Sequence, residues 1–252
     1  MNIESLLLSV AVAVAAGLVG CFAVMRRMAL AADPLSHVAL PGIGIALALH
    51  IHPIFGAVAT LFFGALLVWA LEDRTRAATE TMIGVVFSAA LALGALMSSG
   101  EELMEALFGG PGALSRSEVV FGFVATGAII LFLVTRTDSL VIMLVSPDVA
   151  RTAGINVRRL NLLYLQVFAL TIALGLRFLG VLLMGALIII PAATAKGLAR
   201  NLRAMLWMAI GFALFATLVG SWTAARLHRT GPLIVCVAAA VFFVSLLRRP
   251  AS

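Results

Sequence analysis

Apolar residues run almost without interruption along this chain, and polar residues gather in short islands between the runs. The apolar stretches fall at about 5–25, 29–50, 53–71, 81–98, 119–134, 161–177, 179–195, 204–222 and 231–247. A bilayer core about 30 Å thick takes roughly 20 apolar residues at 1.5 Å rise per residue, so each stretch predicts a membrane-crossing helix. The islands are EDRTRAATE at 72–80, EELMEALFGGPGALSRSE at 101–118, TRTD at 135–138, SPDVARTAGINVRRLN at 146–161, KGLARNLR at 196–203 and ARLHRTG at 225–231. The pattern predicts an all-α integral membrane protein with eight to nine transmembrane helices. No internal repeat, low-complexity tract or linker divides it, so residues 1–252 read as one transmembrane domain.

Composition sharpens that class. Hydrophobic residues make up 63% of the chain and charged residues 11%, whereas a soluble domain is about 45–50% apolar and about 25% charged. Met1 to Glu4 carries no positive charge and the first apolar run continues past Val24, which predicts a retained helix rather than a cleaved signal. The net charge of +6 would suggest nucleic acid in a soluble protein. In a membrane protein it bears first on orientation, because cytoplasmic loops collect Lys and Arg. With the amino terminus outside and the carboxyl terminus inside, all but Arg116, Arg177, Arg226 and Arg229 of the 17 Lys and Arg fall in the cytoplasm. The loop with Glu101, Glu102, Glu105 and Glu118 then lies outside. Cys21 and Cys236 each stand alone in apolar runs, so they read as packing residues rather than a disulfide or zinc cluster.

The second apolar stretch breaks its own pattern with DPLSHVALPGIG at 33–44. His37 stands roughly 14 Å from the inner boundary of a core about 30 Å thick, near the midplane. An Asp at the centre of a membrane helix costs roughly 2.5–3.5 kcal/mol, so such residues face protein or a wet cavity and suggest function. Asp33 and His37 are four apart and share one helix face. A carboxylate and an imidazole form half of the shell of a divalent metal such as Zn²⁺ or Mn²⁺, and two copies in a homodimer would supply four ligands. Pro34 and Pro41 remove backbone donors, while Gly42 and Gly44 permit unwinding or close approach. The bland alternative makes Asp33 and His37 structural glue between helices and the prolines mere kinks. A hydrolase built on Ser36 and His37 fits poorly, since adjacent helical positions point about 100° apart, and the chain has neither HExxH nor GxSxG.

RRMALAADPLSHVALPGIGIALAL (26–49) resembles the opening of the ABC-transporter permeases that import zinc, manganese or iron. ETMIGVVFSAALALG (80–94), ELMEALFGG (102–110), SPDVARTAGINVRR (146–159) and GVLLMGALIIIPAATAKGLAR (180–200) follow in the family's order and spacing, so the resemblance covers nearly the whole chain. It implies a type II ABC-importer-like permease in the bacterial cytoplasmic membrane that is not itself an enzyme. Asp33 and His37 match the family's metal-holding pair. The metal is cargo, and no resident cofactor is implied. The chain has no GxxxxGK[ST] phosphate loop. The resemblance therefore implies two copies of a separate ABC ATPase, together with an extracytoplasmic metal-binding protein.

SPDVARTAGINVRRLN, at about 146–160, has the chemistry of an elbow on which such an ATPase would dock. Ser146 can cap a short helix, Pro147 suits its first turn, Asp148 favours its positive end and Gly154 can stop it. Arg151, Arg158 and Arg159 would project from it. The plainer alternative is an ordinary positive loop. Gly180, Gly185 and Pro191 read as packing and kink residues of a small-residue helix along the pathway, with Thr194 as the one hydroxyl that could face it. His50 and His52 end the second stretch, where an incoming metal would meet them, or they are interfacial residues with no task. His228, between Arg226 and Arg229, is a poor cation ligand. The resemblance also implies a histidine about where Ser88 stands in some zinc-type members, so manganese or iron stays open beside zinc. A metal site of this kind binds with Asp33 ionised and His37 neutral, so uptake should weaken in acid. The rival functions are an ion-coupled secondary metal transporter or channel working alone, and a siderophore or cobalamin permease, which is usually longer.

Overall fold

A computed structural model describes residues 3–28, 31–75, 78–97, 116–179, 181–227 and 230–247. These residues form helices and turns, with no strand among them. The helices are α1 (Ile3–Met25), α2 (Ala32–His37), α3 (Ala39–Ala48), α4 (Pro53–Thr75), α5 (Thr79–Met97), α6 (Arg116–Val145), α7 (Pro147–Thr152), α8 (Val157–Leu179), α9 (Val181–Leu198), α10 (Leu202–Leu227) and α11 (Thr230–Leu247). Six of them, α1, α4, α5, α6, α8 and α10, are long and apolar enough to cross a membrane. Shorter apolar helices lie at Met184–Leu198 within α9 and Pro232–Leu247 within α11.

The stretch at 29–50 is two helices rather than one. Val38 separates α2 from α3, its N–H bonding to the Leu35 carbonyl at 3.1 Å in a tightened turn. The cause lies three residues on. Pro41 has no N–H to give the His37 carbonyl, and its ring crowds that carbonyl, so the regular ladder fails between them. In the other direction, TRTD at 135–138 does not interrupt α6, which runs for 30 residues. Thr135 and Thr137 turn their hydroxyls back onto the Leu131 and Leu133 carbonyls, both at 2.7 Å, and neither Pro nor Gly is present to stop the helix. At 1.5 Å per residue α6 is about 45 Å long, so it extends well past a hydrocarbon core of about 30 Å.

α1 and α8 form the centre of the bundle, with 67% and 61% of their spans buried, against 22–33% for the other four long helices. α1 packs on α6, α8, α9 and α10, while α4 packs on α3, α5 and α8. Phe22, Tyr164 and Phe168 fill the α1–α8 seam, each at most 1% exposed, and the Tyr164 hydroxyl donates to the Val19 carbonyl at 3.3 Å. Two approaches are close enough to require glycine. A Cβ on Gly20 would lie 2.0 Å from the Ile188 carbonyl oxygen where α1 meets α9, and one on Gly42 would lie 2.2 Å from the Gly56 carbonyl oxygen where α3 meets α4. Such small-residue seams let membrane helices pack by van der Waals contact where no hydrophobic effect drives them together.

Candidate functional site

α2 carries both residues of the proposed ligand pair. It is one and a half turns long, and it packs on α9, α5, α8 and α4. The tightest of these approaches is to Gly185 of α9, where a Cβ would lie 3.1 Å from the Asp33 Cα. Gly185 thus brings the two backbones together at the ligand. Asp33 is exposed, whereas His37 is half-buried, its ring 5.6 Å from that of Phe87 on α5. The Nδ1 of His37 is buried and has no hydrogen-bond partner among the described residues. A buried imidazole nitrogen without a partner is expensive at membrane depth, and a metal ion is one of the few things that would satisfy it. No group of three or more His, Cys, Asp or Glu within metal-binding reach occurs among the described residues. One chain therefore offers two ligands here, with the carboxylate facing outward from the chain.

Ser36 has no access to such chemistry. It is fully buried, and its hydroxyl donates to the Asp33 carbonyl at 2.6 Å. Ser88 is exposed on α5, one residue from Phe87, with its hydroxyl on the Gly84 carbonyl at 2.9 Å. Thr194 is 1% exposed and bonds the Ile190 carbonyl at 2.8 Å, so its hydroxyl is spent within α9 rather than on an open path. Pro191 is buried inside α9, which continues through it. Gly180, His228 and Arg229 lie outside the described residues.

At the far end of α3 both mouth histidines are exposed. His50 has φ 55° and closes α3: its N–H bonds the Leu47 carbonyl at 3.1 Å and that of Ile51 bonds the Ala46 carbonyl at 2.9 Å. That is a Schellman stop with histidine in the place usually held by glycine. His52 starts α4, and its Nε2 lies 3.5 Å from a carboxylate oxygen of Glu118 in the first turn of α6. Glu118 was not legible as a partner in the sequence, because the pair spans 66 positions of chain and no local signal links them.

The opposite end of the bundle carries the elbow. Ser146 is extended, with its hydroxyl oxygen accepting from the Val149 N–H at 3.4 Å, and Pro147 opens α7. Asp148 pairs with Arg151 at 2.9 Å on the exposed face. Gly154 has φ 77°, and the Gly154 and Ile155 N–H groups bond the Arg151 and Ala150 carbonyls at 3.1 and 2.9 Å, completing a second Schellman stop. Asn156 then caps α8 through the Arg159 N–H at 3.0 Å. Arg158 lies 4.7 Å above the Trp69 ring and pairs with Asp73 at 3.0 Å, and Arg159 is exposed. A cavity of about 590 Å³ opens beside the elbow, walled by Arg26, Arg27, Glu72, Asp73, Arg158 and Asn161 among others. The ends of α1, α4 and α6 thus meet at one pole, and the starts of α4 and α6 at the other.

A membrane bundle with a broken inner helix bearing Asp33 and His37, and a capped elbow at one pole, has the architecture of a polytopic transport permease. The comparisons identify which kind. Residues 1–249 match the model of the ABC 3 transport family, and the chain belongs to that family. It is 32% identical over 238 residues to the high-affinity zinc uptake system membrane protein ZnuB of Haemophilus influenzae, covering 91% of this chain and 90% of that one. It is 29% identical over 252 residues to the manganese transport system membrane protein MntC of Listeria innocua, covering 98% and 90%. Among solved structures, PsaBC from Streptococcus pneumoniae in complex with Fab matches with a TM-score of 0.83 and 27% identity over 98% of this chain and 91% of that one.

Proposed function

We propose that this chain is the permease of an ABC importer that carries a divalent transition metal, zinc or manganese and by extension iron, across the cytoplasmic membrane. Two copies of the chain pair so that Asp33 and His37 of each converge on one ion. The observation that carries this reading is the state of α2: an exposed carboxylate beside a buried imidazole nitrogen that has no hydrogen-bond partner among the described residues. Facing lipid, that carboxylate would be costly. Facing a second copy, it completes a four-ligand shell of two oxygens and two nitrogens that suits a borderline metal.

The remaining residues take roles around that site. The amino terminus lies outside and the carboxyl terminus inside, which puts the pole of His50, His52 and Glu118 toward an extracytoplasmic binding protein. There His52 and Glu118 offer an imidazole and a carboxylate to an ion on its way to α2. At the inner pole, α7 and the start of α8 seat one ATPase per chain, with Asp148, Arg151, Gly154, Arg158 and Arg159 on the seating surface. The ATPase pair supplies the work, and the permease makes and breaks no covalent bond.

The direct test is metal binding by the purified chain with its ATPase in detergent micelles. One Zn²⁺ or Mn²⁺ per two chains, lost in both Asp33→Ala and His37→Ala, is the expected result. Binding that survives both substitutions in a correctly assembled protein would remove α2 as the site.

A further inference from the structure

We propose that Asn161 is a positioning residue that links the elbow to the metal-binding helix, with Arg26 and Glu72 as its partners; the proposal rests on the importer reading above. Asn161 stands near the start of α8, shortly after the Gly154 stop and the Asn156 cap. Any displacement of the elbow therefore moves it. Its Oδ1 accepts from the Arg26 Nη2 at 2.5 Å, and its Nδ2 donates to a Glu72 carboxylate oxygen at 3.2 Å. The other oxygen of Glu72 accepts from the Thr79 hydroxyl at 2.9 Å. One amide thus joins the inner ends of α1, α4 and α5 to the base of the elbow.

Arg26 carries the link onward. Its guanidinium sits 5.0 Å over the Tyr164 ring, so it is held on α8 by two contacts. Directly after it the backbone turns: Arg27 has φ 59°, and the Met28 N–H bonds the Ala23 carbonyl at 2.8 Å. The Ala31 N–H bonds the Met28 carbonyl at 3.0 Å, and α2 follows. Arg26 is seven positions from Asp33, and Met28 between them is 1% exposed and packed in the core. The tether from Arg26 to Asp33 is only seven positions long, and Met28 anchors it in the core.

Two features mark this as a moving joint rather than a fixed strut. The Nη1 of Arg26 is buried without a hydrogen-bond partner among the described residues, so this arrangement leaves a charged donor unsatisfied. A second arrangement of the helices that supplies an acceptor would compete with the first, which is what a two-state element requires. The cavity of about 590 Å³ beside Arg26, Glu72 and Asn161 supplies the room. The nearby Arg158, Trp69 and Asp73 cluster ties α4 to α8 and, among the described residues, makes no hydrogen bond or ion pair to α1 or α2, so it serves as an internal comparison.

The test uses the chain with its ATPase in proteoliposomes, reading metal transported per ATP hydrolysed and the stimulation of hydrolysis by metal. Asn161→Ala and Glu72→Ala should each lower the transport ratio about fivefold or more, the size of an ordinary coupling between sites, with metal binding and basal hydrolysis within about twofold of wild type. Glu72→Gln, whose amide oxygen still accepts from the Asn161 Nδ2 while its NH2 donates to the Thr79 hydroxyl turned to accept, should retain the ratio, as should Asp73→Asn. Arg26→Ala combined with Asn161→Ala should cost no more than Asn161→Ala alone. If Asn161→Ala does not insert, the contrast between Glu72→Ala and Glu72→Gln decides. An unchanged ratio in the alanine variants would overturn the link, as would a parallel loss of metal binding or equal damage from Glu72→Gln. Wild-type protein that takes up no metal with ATP would overturn the importer reading and the link together.

Discussion

At the residue scale, the ligand pair and the helix stops are legible to very different degrees. Asp33 and His37 stand out in the sequence because charge is scarce in this chain and costly at membrane depth. Replacing either with Ala should reduce metal uptake at least tenfold with insertion intact, as read by uptake of labelled Zn²⁺ and Mn²⁺ in membrane vesicles; tenfold is the lower end of what losing a metal-site partner costs. The stop at Gly154 is legible for the usual reason, that glycine tolerates positive φ. The stops at Arg27 and His50, at φ 59° and 55°, are not, because residues other than glycine occupy the left-handed position and the backbone bonds that close the turns leave no mark in the sequence. His50→Gly should therefore stabilise the protein by about 1 kcal/mol, seen as a higher melting temperature in detergent. The same variant separates the two roles of His50: uptake unchanged in His50→Gly would make it a helix stop, and reduced uptake would make it a ligand at the mouth.

At the element scale, the lengths of the apolar runs identified where helices lie but not where they break or continue. Pro41 reads in the sequence as a missing backbone donor, and it divides α2 from α3 because it silences the bond to His37 that would have joined them. TRTD was read as a loop, yet its threonines satisfy themselves on the preceding turn and α6 runs on. The elbow was the best-specified element, since Ser146, Pro147 and Gly154 each act through the backbone within a few residues. Gly154→Ala forces a methyl into φ 77° and should destabilise α7 by about 1–2 kcal/mol. With the elbow loosened, hydrolysis by the ATPase should respond less to metal. Gly185 was legible as a packing residue, but the partners of the glycine seams were not, because they lie far away in sequence. Gly20→Ala drives a Cβ toward the Ile188 carbonyl and should cost about 1–3 kcal/mol, detectable as a lower melting temperature, whereas Gly127→Ala, with open space around it, should cost far less.

At the scale of the whole molecule, the proposed metal site needs a second copy, because one chain brings only Asp33 and His37 to α2. The buried centre of α1 and α8 holds the bundle, the broken helix sets two ligands at its edge, and the elbow stands at the opposite end of the same helices from His52 and Glu118. Charge alternation along the sequence anticipated that division, because Lys and Arg mark alternate loops before any fold is known. The contacts of Asn161 with Arg26 and Glu72 escaped it, since the residues lie 135 and 89 positions apart and no local signal joins them. The importer account is tested most directly by Zn²⁺ and Mn²⁺ uptake into proteoliposomes holding the chain with and without its ATPase and ATP, in wild type and His37→Ala. Uptake that requires both ATPase and ATP, and that collapses in His37→Ala, is the predicted result. Uptake by the chain alone, or uptake indifferent to His37, would contradict it.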